Sequence, residues 1–295
     1  VCNSGYYGSS STGCLLCTIG GYCPGGGSIT NCPAHSTSAA GSDGISDCHC
    51  VAGFYQVYGS SVCNKCPAGS YCVGGTAKAD CPAHSSSGEQ SRSLQDCSCV
   101  AGYYGEPQNC RKCPAGWYCP GGKEKSVCPA SSSSSEGSTK LSDCVCNSGY
   151  YGSSSTGCLL CTIGGYCPGG GSITNCPAHS TSAAGSDGIS DCHCVAGFYQ
   201  VYGSSVCNKC PAGSYCVGGT AKADCPAHSS SGEQSRSLQD CSCVAGYYGE
   251  PQNCRKCPAG WYCPGGKEKS VCPASSSSSE GSTKLSDCVC NSGYY

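Results

Sequence analysis

Methionine is absent from this sequence, and phenylalanine and tryptophan occur only twice each in 295 residues. So few large apolar side chains exclude an ordinary hydrophobic core. Charge is scarce as well: Asp, Glu, Lys and Arg make up 12% of the chain, with a net charge of −2. That balance provides no basic footprint for nucleic acid and none for an anionic lipid surface. No apolar run approaches the ~20 residues that a membrane-spanning helix needs. No signal peptide is visible, and the stretch reads as an internal segment whose targeting signal lies outside it.

What the chain has instead is cysteine (37) and glycine (45). It also repeats itself without a substitution: residues 1–144 recur as 145–288, and 289–295 begin another copy. Perfect repetition implies either recent amplification or one sequence tiled along a periodic object, and both point to an array before an enzyme. Each copy holds eighteen cysteines, so the odd total reflects Cys290 at the start of the unfinished copy. The cysteines divide each copy into three units of six. The units are residues 2–49, 50–98 and 99–145, repeated as 146–193, 194–242 and 243–289, with 290–295 opening the next. Every unit reads C-x(10–12)-C-x2-C-x5-C-x8-C-x15-C-x. Such density is that of a disulfide framework and implies an oxidising, extracellular or cell-surface location.

A unit of this size cannot fold on apolar burial alone, and three bridges at ~2–4 kcal/mol each would supply most of its net stability. The fold class expected is therefore small disulfide-rich modules in tandem. They should be mostly coil with short β-hairpins and almost no helix, forming an elongated rod or superhelix. Gly5, Gly53 and Gly102 each precede an aromatic pair (Tyr6-Tyr7, Phe54-Tyr55, Tyr103-Tyr104), as a φ > 0 turn leading into a hairpin would. Gly25-Gly26, Gly74-Gly75 and Gly121-Gly122 mark further tight turns. Tyr22, Tyr71 and Tyr118, beside each fourth cysteine, read as packing residues rather than a sugar platform.

The fifteen residues between the fifth and sixth cysteines are rich in serine and threonine. Ser36, Thr37, Ser38, Ser85, Ser86, Ser87 and the run Ser131, Ser132, Ser133, Ser134 and Ser135 are candidates for O-glycosylation on an extracellular protein. Each stretch ends on one apolar residue (Ile45, Leu94, Leu141) and an aspartate.

Other chemistries fit less well. The Cys-x2-Cys pairs, such as Cys14/Cys17, invite a zinc or thiol-redox reading, but each unit's six cysteines suffice for three bridges. His35 and His84 occupy a loop position that is Ser131 in the third unit, which argues against a required role. No single asymmetric constellation suggests catalysis, so no enzyme, cofactor or metal site is expected.

The string Asp143-Cys144-Val145-Cys146-Asn147-Ser148-Gly149-Tyr150-Tyr151-Gly152, with Cys113-Pro114-Ala115-Gly116-Trp117-Tyr118-Cys119, resembles the ephrin-receptor-like cysteine-rich repeats of large algal and protist surface proteins. Related modules build receptors, stalks and the flagellar hairs called mastigonemes. Spacing alone allows fifteen connectivities per unit. The resemblance, in its TNF-receptor-like and EGF-like registers, implies first with second, third with fifth and fourth with sixth. The implied bonds are Cys2–Cys14, Cys17–Cys32, Cys23–Cys48, Cys50–Cys63, Cys66–Cys81, Cys72–Cys97, Cys99–Cys110, Cys113–Cys128 and Cys119–Cys144, with the same bonds in the second copy. Exact repetition, enough cysteines to pair completely, no catalytic constellation and serine-rich loops together point to a structural protein of an extracellular filament that associates with itself and carries O-glycans. The alternative is the ectodomain stalk of a receptor or adhesin. Charge alternates between units: the first carries Asp43 and Asp47, whereas the third carries Arg111, Lys112, Lys123, Lys125 and Lys140. That alternation offers a way to set register between copies.

Overall fold

A computed structural model describes residues 1–9 and 11–294. The chain divides into two compact units, Val1–Val145 and Cys146–Tyr295. Both are built from small disulfide-stapled modules of short antiparallel hairpins joined by coil. Among the described residues the only helical elements are 3₁₀ turns of three residues each.

The first module shows the plan. Strand β1 (Tyr6–Ser9) pairs with β2 (Gly13–Leu16), placing Tyr6 opposite Leu16. Strand β3 (Gly21–Tyr22) pairs with β4 (Thr30–Asn31). Strand β5 (Ser36–Thr37) pairs with β6 (His49–Cys50). The last ladder crosses the cysteine-counted boundary, because β6 includes the first cysteine of the next module. In the second module the same pairings join Phe54–Gln56 to Cys63–Lys65, Ser70–Gly74 to Ala77–Asp80 and Ser85–Ser86 to Ser98–Cys99. The third pairs Tyr103–Tyr104 with Arg111–Lys112 and Trp117–Tyr118 with Ser126–Val127. The second unit repeats the series.

The bridges depart from the expected pattern. First-to-second bonds form as expected: Cys2–Cys14, Cys50–Cys63 and Cys99–Cys110. The pairs Cys17–Cys32, Cys23–Cys48, Cys66–Cys81, Cys72–Cys97, Cys113–Cys128 and Cys119–Cys144 do not. Third pairs with fourth instead (Cys17–Cys23, Cys66–Cys72, Cys113–Cys119). Fifth pairs with sixth (Cys32–Cys48, Cys81–Cys97, Cys128–Cys144). The second copy is corrected in the same way, with Cys161–Cys167, Cys176–Cys192, Cys210–Cys216, Cys225–Cys241, Cys257–Cys263 and Cys272–Cys288. Two local causes are visible. Gly20, at φ +86°, turns the chain so that Cys17 and Cys23 return to a Cα–Cα distance of 5.9 Å, inside the range a bridge requires. Local closure is also cheaper: loops of 6 and 16 residues replace the longer third-to-fifth and fourth-to-sixth loops, an advantage of about 1 kcal/mol in closure entropy.

Sulfur takes the place of a hydrocarbon core. The largest fully buried side chains are the third and fourth cysteines of the modules, beginning with Cys17 and Cys23. Backbone hydrogen bonds hold this central segment from both sides. Gly5 N–H donates to Cys23 O (2.9 Å) and Cys17 N–H to Gly5 O (2.8 Å). On the other side, Cys23 N–H donates to Ser42 O and Gly41 N–H to Cys17 O (2.9 Å each). Glycine is required where these segments meet: Gly5 sits at φ +82°, and a Cβ there would lie 2.7 Å from Gly41 O.

Candidate functional surface: module joints and serine loops

The joint between modules is set by the turn after the fifth cysteine. His35 is held at φ +63°, which is uncommon for a residue with a Cβ. There its carbonyl accepts the Val51 N–H of the next module at 2.9 Å. Its imidazole lies flat on Phe54, with ring centroids 4.0 Å apart and planes 7° from parallel. His84 repeats the arrangement, accepting from Val100 N–H and stacking on Tyr103 at 4.1 Å. The second unit reproduces both stacks, His179 on Phe198 and His228 on Tyr247. In the third module the turn is kept without the ring: Ser275 has φ +65° and its carbonyl accepts Asn291 N–H at 2.9 Å. The turn itself does not require histidine, but the ring adds a contact where it is present. The histidines give two of the three module types a stacked joint, and the signal lies in reading position 35 against position 54 of the following module.

The serine loops are more ordered than their composition suggests. The Ser38 hydroxyl is buried and donates to Gly21 O at 2.6 Å; Ser87 and Ser134 donate to Ser70 O and Trp117 O. Ser36, Ser85 and Ser132 each donate to the proline carbonyl three residues earlier, at 2.6–2.7 Å. Ser131 lies in the joint turn at φ +60°. Thr37, Ser86, Ser133 and Ser135 are exposed. In the second copy the Ser277 hydroxyl, equivalent to Ser133, bonds Asn291 Oδ1 at 2.8 Å. Of the candidate acceptors, Thr37, Ser86 and Ser135 thus present exposed side chains, while Ser38 and Ser134 are buried, Ser87 is half-buried, and all three hydroxyls are bonded to backbone carbonyls.

Each loop closes on a 3₁₀ turn capped by the aspartate before the sixth cysteine. Asp47 Oδ2 accepts the N–H groups of Asp43 (2.9 Å) and Gly44 (3.3 Å), and Asp143 those of Thr139 and Lys140. These backbone donors favour the ionised form and hold the carboxyls of Asp47, Asp96 and Asp143 below the ordinary aspartate range.

Several cations named for register are engaged within their own module. Lys112 pairs with Glu136 at 3.2 Å and Lys123 with Glu106 at 3.1 Å. Lys125 Nζ lies 4.3 Å from the centroid of Trp117 and 4.9 Å from that of Tyr104. The sulfurs of the Cys-x2-Cys pairs are divided between separate bridges: Cys14 bonds Cys2 and Cys17 bonds Cys23.

Among the described residues no helix is long and apolar enough to cross a membrane. No family model matches the chain, and no curated protein matches it. The dense bridges and tandem hairpin modules fit an extracellular repeat protein.

Proposed function

We propose that this chain is a structural repeat protein of an extracellular filament or cell-surface fibre, not an enzyme. The observation that carries the reading is exact repetition of a three-module block whose interior is disulfide and serine hydroxyl. Identical blocks present any weak contact again at a fixed interval along the chain. Multiplied contacts of low individual affinity give strong assembly through effective concentration. A self-contact that is not closed by symmetry propagates into a filament. The resemblance to ephrin-receptor-like repeats, and through them to mastigoneme-like fibres, points the same way. O-linked sugars belong on Thr37, Ser86 and Ser135 and their copies Thr181, Ser230 and Ser279, because those side chains are exposed. With Lys112, Lys123 and Lys125 already paired, salt should have a modest effect on lateral association.

Negative-stain microscopy of purified, non-reduced material tests the proposal. Long fibres with an axial period support it. Dispersed single chains that bind a soluble ligand tightly would replace it with the receptor or adhesin stalk. Intact mass equal to the bare bridged polypeptide would remove the sugars.

A further inference from the structure

One tyrosine in each 144-residue block packs against nothing. Tyr58 is 100% exposed and its copy Tyr202 is 99% exposed, whereas Tyr294 and Tyr6, the next most open of the described tyrosines, stand at 58% and 42%. Tyr58 sits at the tip of the second module's first hairpin, between the strands Phe54–Gln56 and Cys63–Lys65. This tip is the longest of the three module types, with twelve residues between the first two cysteines. Its base is fixed by the Cys50–Cys63 bridge. The tip itself is held by the Gln56 side-chain amide, which donates to Ser60 O, and by Ser60 N–H, which donates to Val57 O at 2.9 Å. No residue from 56 to 64 is charged, and Val57 and Val62 of the same tip are themselves exposed.

Such a tip suits contact with its own kind. Two neutral tips meet without Coulomb repulsion, and the flanking valines gain from mutual burial. Both phenol rings are then open along their full edges. The fold makes no use of the ring, whereas Tyr7 and Tyr103 lie in hairpin ladders and Phe54 in a stacked joint. We infer that Tyr58 and Tyr202 are sites of oxidative tyrosine–tyrosine coupling between chains, with hydrogen peroxide as oxidant and a peroxidase-class catalyst. Each phenol gives up one electron and one proton to become a phenoxyl radical. The two radicals form one carbon–carbon bond between ring positions ortho to oxygen, and loss of the two ring protons to solvent, with reprotonation of the oxygens, restores both phenols. Peroxide takes up two electrons and two protons and leaves as two waters. The product joins chains by a bond that thiols do not break, in a protein whose modules are otherwise held by reducible ones. Its use in a fibre rests on the self-association proposed above; the chemistry itself does not.

The test uses the full chain, treated with peroxide and a heme peroxidase, then reduced and separated by size. The expected result is covalent dimers and higher oligomers with dityrosine fluorescence, and mapped cross-links that join tips containing Tyr58 or Tyr202. The double variant Tyr58→Phe/Tyr202→Phe should lose the oligomers although eighteen of its twenty tyrosines remain; an unchanged bridge map shows that it is folded. Oligomers at undiminished yield in that variant, cross-links scattered over Tyr6, Tyr22 and Tyr103, or no coupling in the parent would each overturn the inference. Fibres that assemble but do not couple would overturn it and leave the fibre standing. Tip-specific coupling of chains that never form fibres would sustain it and overturn the fibre.

Discussion

Removing the central bridge of the second module should loosen all three of its hairpins at once. The perturbation is Cys66→Ala with Cys72→Ala, made also at Cys210 and Cys216 so that peptides from the two identical copies report together. Opening a loop of six residues returns about 2 kcal/mol of chain entropy to the unfolded state. Both sulfurs are fully buried, and the space they vacate adds about 1 kcal/mol. The sum, about 3 kcal/mol, corresponds to a roughly 100-fold rise in exchange of amides that open with the module. The amides to follow are Gly53, Cys66, Cys72 and Gln90. In the parent they donate to Cys72 O (2.9 Å), Gly53 O (2.9 Å), Ser91 O (3.0 Å) and Cys66 O (2.8 Å) respectively. Gly53 belongs to the first hairpin segment and Gln90 to the serine loop, so the response must reach both. Removing Cys81–Cys97 costs a similar ~3 kcal/mol through its longer loop, but its effect should stay in the serine loop and its ladder. Hydrogen exchange read by mass spectrometry compares the two. Acceleration confined to residues 66–72, or less than about tenfold, would refute the central placement of this bridge.

At the joints, His35→Ala should cost about 0.5–1.5 kcal/mol for the lost stack while keeping the strained φ of +63°. His35→Gly loses the same stack but relieves the strain, so thermal unfolding should rank glycine above alanine. Gly53→Ala places a Cβ 2.8 Å from Gln90 O at φ +89°; a loss above about 1 kcal/mol is expected in denaturant titration. Asp47, Asp96 and Asp143 are held below their ordinary pKa of 3.8 by backbone donors. A carboxyl lowered by folding contributes above its unfolded pKa, and that contribution is lost as pH falls through the folded value. The protection factors of the Gly44 and Asp43 amides, which correct exchange for its intrinsic dependence on pH, should therefore fall below about pH 4, before any bridge is broken; constant protection down to pH 2 would contradict the capping role.

Much of the module was legible because cysteine spacing and glycine placement are local signals. The hairpins at Tyr6-Tyr7, Phe54-Tyr55 and Tyr103-Tyr104 and the left-handed glycines follow from residues near one another in sequence, whereas the first bridge of each module came with the resemblance. The other two bridges were misread because the resemblance carried in the crossed pairing of other modules. Here Gly20 turns Cys17 back to Cys23, and the Asp47 cap folds the fifteen-residue stretch so that Cys48 returns to Cys32. The serine loops looked uniform because composition does not show direction. Ser38 points inward and Thr37 outward, and no periodic pattern announces it in an irregular loop. The His35–Phe54 stack lies between modules, so comparing units position by position hid it.

Everything above the level of one module depends on the consecutive pairing of its cysteines, and tryptic mapping without reduction tests it directly. Lys65, Lys78 and Arg92 separate the cysteines of the second module, releasing the peptides Cys66–Lys78, Ala79–Arg92 and Ser93–Arg111. With Cys66 bonded to Cys72 and Cys81 to Cys97, Cys66–Lys78 should emerge alone, two hydrogens lighter than its reduced form. Ala79–Arg92 should remain joined to Ser93–Arg111. Recovery of Cys66–Lys78 linked to both of the other peptides would restore the crossed pattern and contradict the fold described here.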